Sequence, residues 1–298
     1  MKLGFIGLGN MGGPMAANLL KAGYDVTVYD VNEKSVENLT KQGAKAAFNP
    51  KGVAEGVDVI LLSLPNPAIV TQVVTGINGV LEGIKKGSVI LDLSTVTPNT
   101  IIKLVPQVEA KGAKILDAPV SGGVPGAIAG KLTIMVGGDQ ETFEKCQPIL
   151  EAIGKNIYYL GEVGSGLTVK LINQFLFAAN LAALVEAFSL AAKVGIDAEK
   201  MVEILLKSSG SSYALNTRHE KIANNNFEPG FQIELMLKDL SLVSAMAHEN
   251  DIPLQIGDSA AQLYRLAKRR GYGKKDVAGI LLAMEEVLNI KFPRKENE

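Results

Sequence analysis

Residues 4–19 read GFIGLGNMGGPMAANL, and this stretch constrains the fold more than any other part of the chain. Gly7, Gly9 and Gly12 form G-x-G-x-x-G directly after an apolar strand candidate, Leu3 to Ile6, and ahead of a helix candidate that runs to about Lys21. A second strand, Asp25 to Tyr29, ends in Asp30. That context is the one a dinucleotide-binding unit requires. Gly7 permits the sharp turn out of the strand, Gly9 lets the backbone approach a pyrophosphate, and Gly12 lets the helix pack close to the strand. The helix N-terminus offers unpaired N–H groups and a positive dipole end to the phosphates. Leu8, Asn10 and Met11 complete the loop and join the glycines as candidate cofactor contacts. Asp30 is placed to accept hydrogen bonds from the adenosine ribose and to repel a 2′-phosphate. It points to NAD, with NADP left open by the nearby Lys34.

A length of 298 residues suggests about two domains. Up to about residue 160, apolar strand candidates alternate with helices: Val57 to Leu62, Ser88 to Leu93, Ala113 to Asp117, Leu132 to Val136 and, more weakly, Asn156 to Tyr159. Helices lie between them, for example Asn99 to Lys111. The pattern predicts an α/β class fold: a doubly wound, parallel Rossmann sheet with helices on both faces. After Gly161 no strand signal remains. Leu167 to Val194 holds neither proline nor glycine and is apolar around nearly its whole circumference, so it is expected to be a long helix buried on most faces. Shorter helices are expected over Ala198 to Ser208, Leu235 to Asn250, Ile256 to Arg270 and Val277 to Leu288. The expected division is a nucleotide-binding domain over 1–162 and an all-helical domain over 163–298, with the long helix between. The charged tail from Lys291 to Glu298 contains Pro293 and is expected to fray.

Net charge is −1 with no long basic run, so neither nucleic acid nor a membrane surface is an expected partner. The most apolar stretch, Phe175 to Val185, contains Asn180 and is short for a bilayer span. The single cysteine, Cys146, forms no internal disulfide, and strand one starts too early for a signal peptide; a cytoplasmic protein is expected. His219 and His248 lack partners at metal-ligand spacing, so no metal is expected. Lys238–Asp239 reads as a simple surface charge pair, and Ser208 to Ser212 as a helix cap and turn.

Two further constellations carry chemistry. Residues 117–138 read DAPVSGGVPGAIAGKLTIMVGG, with Val120 to Gly123 expected at the C-terminal end of a parallel strand, where ligands of such sheets bind. The Ser121 hydroxyl and the N–H groups of Gly122 and Gly123 suit a carboxylate; a plain Gly/Pro connector is the alternative. Residues 164–174 read GSGLTVKLINQ, and Lys170, Asn173 and Gln174 at i, i+3, i+4 share one helix face. A lysine there can donate a proton to an oxygen while Asn173 holds that oxygen or a neighbouring carboxylate. The alternative is a solvated helix edge.

Together with FQIELMLKDL at 231–240, these segments resemble the β-hydroxyacid dehydrogenase family, which includes 3-hydroxyisobutyrate dehydrogenase and tartronate semialdehyde reductase. The resemblance covers nearly the whole chain. It implies an oxidoreductase that moves a hydride between a nicotinamide cofactor and a small β-hydroxy acid or its semialdehyde. It implies Lys170 as the catalytic lysine and Ser121, Gly122, Gly123, Asn173 and Gln174 at the substrate. It also implies Leu64, Pro65, Thr95 and Lys238 at the cofactor. Gln174, where some members have a second Asn, resembles the tartronate semialdehyde reductases, so that substrate is expected first and 3-hydroxyisobutyrate second. The segment KSSGSSYA at 207–214 resembles the 2-(hydroxymethyl)glutarate dehydrogenase branch instead. A non-catalytic nucleotide-binding scaffold is the reading from another class. A homodimer or homotetramer is expected, because one small domain has too little surface to cover so apolar a helix.

Overall fold

The structure, a computed structural model, describes residues 1–292. Of the tail expected to fray, Lys291 to Glu298, residues 293–298 lie outside the described residues, and the expectation fails at Phe292. Phe292, just before them, is buried and stacks on Phe188 with ring centroids 4.5 Å apart. The chain divides into two compact units, Met1–Lys170 and Leu171–Glu298.

The first unit opens with β1 (Lys2–Ile6), α1 (Gly12–Lys21), β2 (Asp25–Tyr29), α2 (Glu33–Thr40), β3 (Lys45–Ala46) and α3 (Pro50–Ala54). There follow β4 (Val59–Leu62), α4 (Pro67–Thr75), α5 (Val80–Gly83) and β5 (Val89–Asp92). Next come α6 (Pro98–Ile102), α7 (Val105–Glu109) and β6 (Lys114–Asp117). The strands form one all-parallel sheet of six in the order β3-β2-β1-β4-β5-β6. Their continuous apolar runs bury both faces. Leu3, Phe5, Leu61 and Leu91 point into one core, while Ile6, Ile60, Leu62 and Ile90 point into the other, as the two-residue period of a strand dictates.

Two expectations fail here for identifiable reasons. The helix expected over Asn99 to Lys111 is two short helices, α6 and α7. Pro106 sits in the first turn of α7, where its missing N–H does no harm, and cannot lie inside a longer helix at the same low cost. The later strands do not extend the parallel sheet. After β6 come β7 (Val120–Ser121), α8 (Gly123–Ala129), β8 (Leu132–Val136), α9 (Gln140–Glu151) and β9 (Gly154–Tyr159). These make a separate three-stranded sheet, β7-β8-β9, in which β7 runs antiparallel to β8. Ser121 therefore belongs to a short strand of its own and not to the end of a parallel strand.

The helix α10 (Ser165–Val194) begins in the first unit and runs on into the second. It is followed by α11 (Ala198–Leu206), α12 (Tyr213–Ala223), α13 (Ile233–Glu249), α14 (Gln255–Ala267) and α15 (Ile280–Leu288). Ala178, Leu181, Leu184, Val185 and Phe188 of α10 pack with Leu215, Met236, Tyr264, Ile280 and Leu281 in the core of the second unit. With 30 residues and a mean hydropathy of 1.8 in its most apolar window, α10 is long and apolar enough to cross a membrane, so the argument from the shorter stretch does not stand. It is a core helix of the fold, but not buried on most faces. Val169, Ile172, Leu176, Leu190 and Val194, each step close to a whole number of helical turns, form an exposed apolar stripe. The serine-rich segment is more than the end of a helix. Ser212 caps α12, its Oγ accepting from the Leu215 N–H at 3.1 Å.

Candidate active site

The glycines of the first loop divide by task. Gly7 has φ +93°, and a Cβ on it would collide with the Ser63 carbonyl oxygen. A Cβ on Gly12 would collide with the carbonyl oxygen of Gly7, so α1 packs against the turn as closely as a glycine allows. A Cβ on Gly9 would meet nothing within 4 Å. Gly9 is thus required by no packing contact, and its bareness leaves an open cradle beside the start of α1. That helix begins after Met11 with no side-chain cap, and Gly9 and Asn10 are exposed. Bare backbone, an uncapped first turn and open space are what a pyrophosphate needs.

Asp30 ties this loop down. Its Oδ2 accepts from the Leu8 N–H at 2.6 Å and its Oδ1 from the Asn32 N–H at 2.7 Å. Beyond β4 and β5, the Leu64 N–H donates to Ser94 Oγ at 2.9 Å, and the Ser94 N–H to Asp92 Oδ1 at 3.1 Å. One hydroxyl therefore joins the loop of Leu64 and Pro65 to the loop of Thr95. All these residues gather at the C-terminal ends of parallel strands.

In the second constellation Gly122 and Gly123 have φ of +130° and +63°, the region where a side chain is strained. The loop is coupled to α1: Asn18 Nδ2 donates to the Ala127 carbonyl of α8 at 2.8 Å. Asp117, at the end of β6, is fully buried, and that burial lifts its carboxyl to about 6 against the N–H groups of Gly164 and Leu167, which pull it down.

Burial sorts the third constellation. Lys170 and Gln174 are each only 6% exposed and lie on the buried face of α10 with Leu167, Leu171 and Ala178, whereas Asn173 is at its exposed rim. In the second unit Asn173 Nδ2 donates to Gln174 Oε1 at 3.2 Å, and Gln174 Nε2 donates to Asp239 Oδ2 at 2.6 Å. Lys238 Nζ lies 2.9 Å from Asp239 Oδ1. Asp239 is buried, so Lys238–Asp239 is not a surface charge pair but the end of a polar chain reaching back to Asn173. The sequence reading named Asp239 but missed that it is buried. Its signal was its place on α13, three residues after Met236 and four before Val243, both buried: a carboxylate on an apolar face needs a partner.

Residues 2–161 match the NAD-binding domain of 6-phosphogluconate dehydrogenase, and residues 164–284 match the NAD-binding domain of NADP-dependent 3-hydroxyisobutyrate dehydrogenase. The chain is 43% identical to 2-(hydroxymethyl)glutarate dehydrogenase of Eubacterium barkeri over 97% of both chains. It is 39% identical to mitochondrial 3-hydroxyisobutyrate dehydrogenase of Mus musculus, covering 95% of this chain and 87% of the mouse protein. Among solved structures, 3-hydroxyisobutyrate dehydrogenase of Mycobacterium tuberculosis with L-serine superposes with a TM-score of 0.89 at 30% identity, over 95% of this chain and 98% of the other.

Proposed function

Since the chain belongs to the 3-hydroxyisobutyrate dehydrogenase family of NAD(P)-dependent β-hydroxyacid dehydrogenases, enzymes that act on a CH–OH group, we propose that its substrate is a carboxylate bearing a hydroxymethyl group on the α-carbon, with 2-(hydroxymethyl)glutarate first and 3-hydroxyisobutyrate second. L-serine, bound to the mycobacterial structure, carries the same hydroxymethyl carboxylate unit. The ranking of tartronate semialdehyde first, which rested on Gln174, gives way. The relatives favour the other two acids, and Gln174 has a structural task, donating to Asp239, that is the same whatever the substrate.

The observation that carries the chemistry is the burial of Lys170. An ammonium is costly to remove from water and is seldom retained there without a task. In the oxidative direction the Lys170 amine takes the proton of the substrate hydroxyl; in reduction the ammonium returns it and neutralises the developing alkoxide. Ser121 and the N–H groups of Gly122 and Gly123 hold the substrate carboxylate. The glycine loop and the first turn of α1 hold the pyrophosphate, and Asp30 holds the adenosine ribose, which favours NAD over NADP. The bound dinucleotide supplies the hydride acceptor or donor.

The test is a comparison of kcat/KM for 2-(hydroxymethyl)glutarate, 3-hydroxyisobutyrate, glycerate, L-serine and an alcohol without a carboxylate, followed by the absorbance of reduced nicotinamide. Preference for glycerate restores the tartronate ranking, and equal turnover of the simple alcohol removes the carboxylate anchor. The exposed stripe on α10 supports a second reading, that another copy of the chain covers it. A stable monomer in sedimentation contradicts that.

A further inference from the structure

We propose that Asp117 is a positioning residue for Lys170: its carboxylate closes the first turn of α10 and so sets where the lysine, in the second turn, stands relative to the loop of Ser121. The inference rests on the reading of Lys170 as the proton donor and acceptor.

The start of α10 has a complete hydrogen-bond account. Asp117 Oδ1 accepts from the Gly164 N–H at 2.6 Å and Oδ2 from the Leu167 N–H at 2.8 Å, and the Gly166 N–H adds to the same carboxylate. The Ser165 N–H donates to the Glu162 carbonyl at 3.1 Å. The helix ladder then begins, with the Thr168 N–H donating to the Gly164 carbonyl at 2.9 Å. A residue 47 positions upstream thus does the work of a helix cap. Asp117 itself cannot shift. Its N–H and carbonyl exchange hydrogen bonds with Gly137 at 3.1 and 2.8 Å, and the next residue, Ala118, donates to the Asp92 carbonyl at 2.8 Å.

The contact is built without slack. A Cβ on Gly137 would stand 2.6 Å from Asp117 Oδ1 and 2.6 Å from the Glu162 carbonyl oxygen. A Cβ on Gly166 would stand 2.9 Å from Asp117 Oδ2 and collide with the Met135 carbonyl. Four residues after Asp117 the same segment reaches Ser121. One buried carboxylate therefore registers both the loop proposed to hold the substrate carboxylate and the helix turn that carries the lysine. Its charge matters, because only a carboxylate accepts from these N–H groups with both oxygens. An asparagine would set an NH2 donor against one of them.

The test is a double-mutant cycle of D117N and K170A, with D117E as a second perturbation that displaces the carboxylate and keeps its charge. K170A is expected to lower kcat at least ~100-fold. D117N and D117E are each expected to lower kcat by about 10- to 100-fold, with KM for the hydroxy acid and Kd for NADH moving less than about threefold. Because Asp117 acts through Lys170, D117N/K170A is expected to be no slower than K170A. Wild-type kcat in D117N or D117E beside an inactive K170A overturns the positioning role alone. A further loss in the double variant, equal to that of D117N, overturns it too. Wild-type kcat in K170A overturns the lysine reading, and the positioning role with it. Should D117N not fold, D117E and D117E/K170A decide by the same criteria.

Discussion

α1 and α10 both begin in the first unit, each behind a glycine of positive φ, Gly7 at +93° and Gly164 at +97°, and they treat the positive pole of the helix in opposite ways. At α10 the protein supplies its own buried carboxylate, Asp117, to the first N–H groups. At α1 no side chain caps the first turn, as at α5, α6, α7 and α8, whereas α2, α3, α4 and α9 are capped by Asn32, Asn49, Asn66 and Asp139. A helix end filled by the chain has a fixed register and suits the support of a reacting side chain. One left to backbone and glycine suits an anion that comes and goes.

The largest expected effect lies downstream of the filled pole. K170A should lower kcat by ~10²-fold or more while NADH binding, proposed to lie at α1, is kept; K170R should fail as well, since arginine keeps its proton. NADH titration beside turnover separates the two. Making the two poles alike should be nearly as damaging. G9D places a carboxylate beside the start of α1, at a position where an added Cβ meets nothing within 4 Å. The fold and Tm should hold while the Kd for NADH rises on the order of 100-fold. An unchanged Kd would mean that the pole of α1 holds no phosphate.

The filled pole should also leave a mark on stability. The Asp117 carboxyl stands at about 6 in the fold against 3.8 ordinarily, from burial and backbone N–H groups with no charged side chain contributing. Between those values the folded state holds the proton that the unfolded chain has lost. Its contribution to stability is therefore greatest below the ordinary value and falls as pH rises toward 6, by on the order of 3 kcal/mol, then stays level. Urea unfolding across this range should show the slope in the wild type and not in D117N. The smallest effect concerns Asp30, whose replacement by alanine should narrow the preference for NADH over NADPH by about tenfold, the ~1.4 kcal/mol of one charge contact. A wild type that uses NADPH as well as NADH would remove that role.

What the sequence shows about these regions follows from the distance over which each contact acts. The glycine loop, its flanking strands and the helix face of Lys170 are local patterns, so they can be read directly. The carboxylate that starts α10 is 47 residues away from it, and the Gln174–Asp239 contact spans 65; neither leaves a periodicity to find. β3 and β7 have two residues each, too few for an alternating pattern. α12 buries only Ala214, Leu215 and Ile222 among polar neighbours, so its apolar stripe is too thin to stand out.

The glycines also forecast what a saturation library would return. Gly9, with free space around its missing side chain, should accept many residues in a screen for soluble expression and few in a screen for turnover. Gly137 and Gly166, wedged against Asp117 and the backbone, should be depleted in both. The gap between the two screens at each glycine would then separate the positions that serve the ligand from those that serve the scaffold.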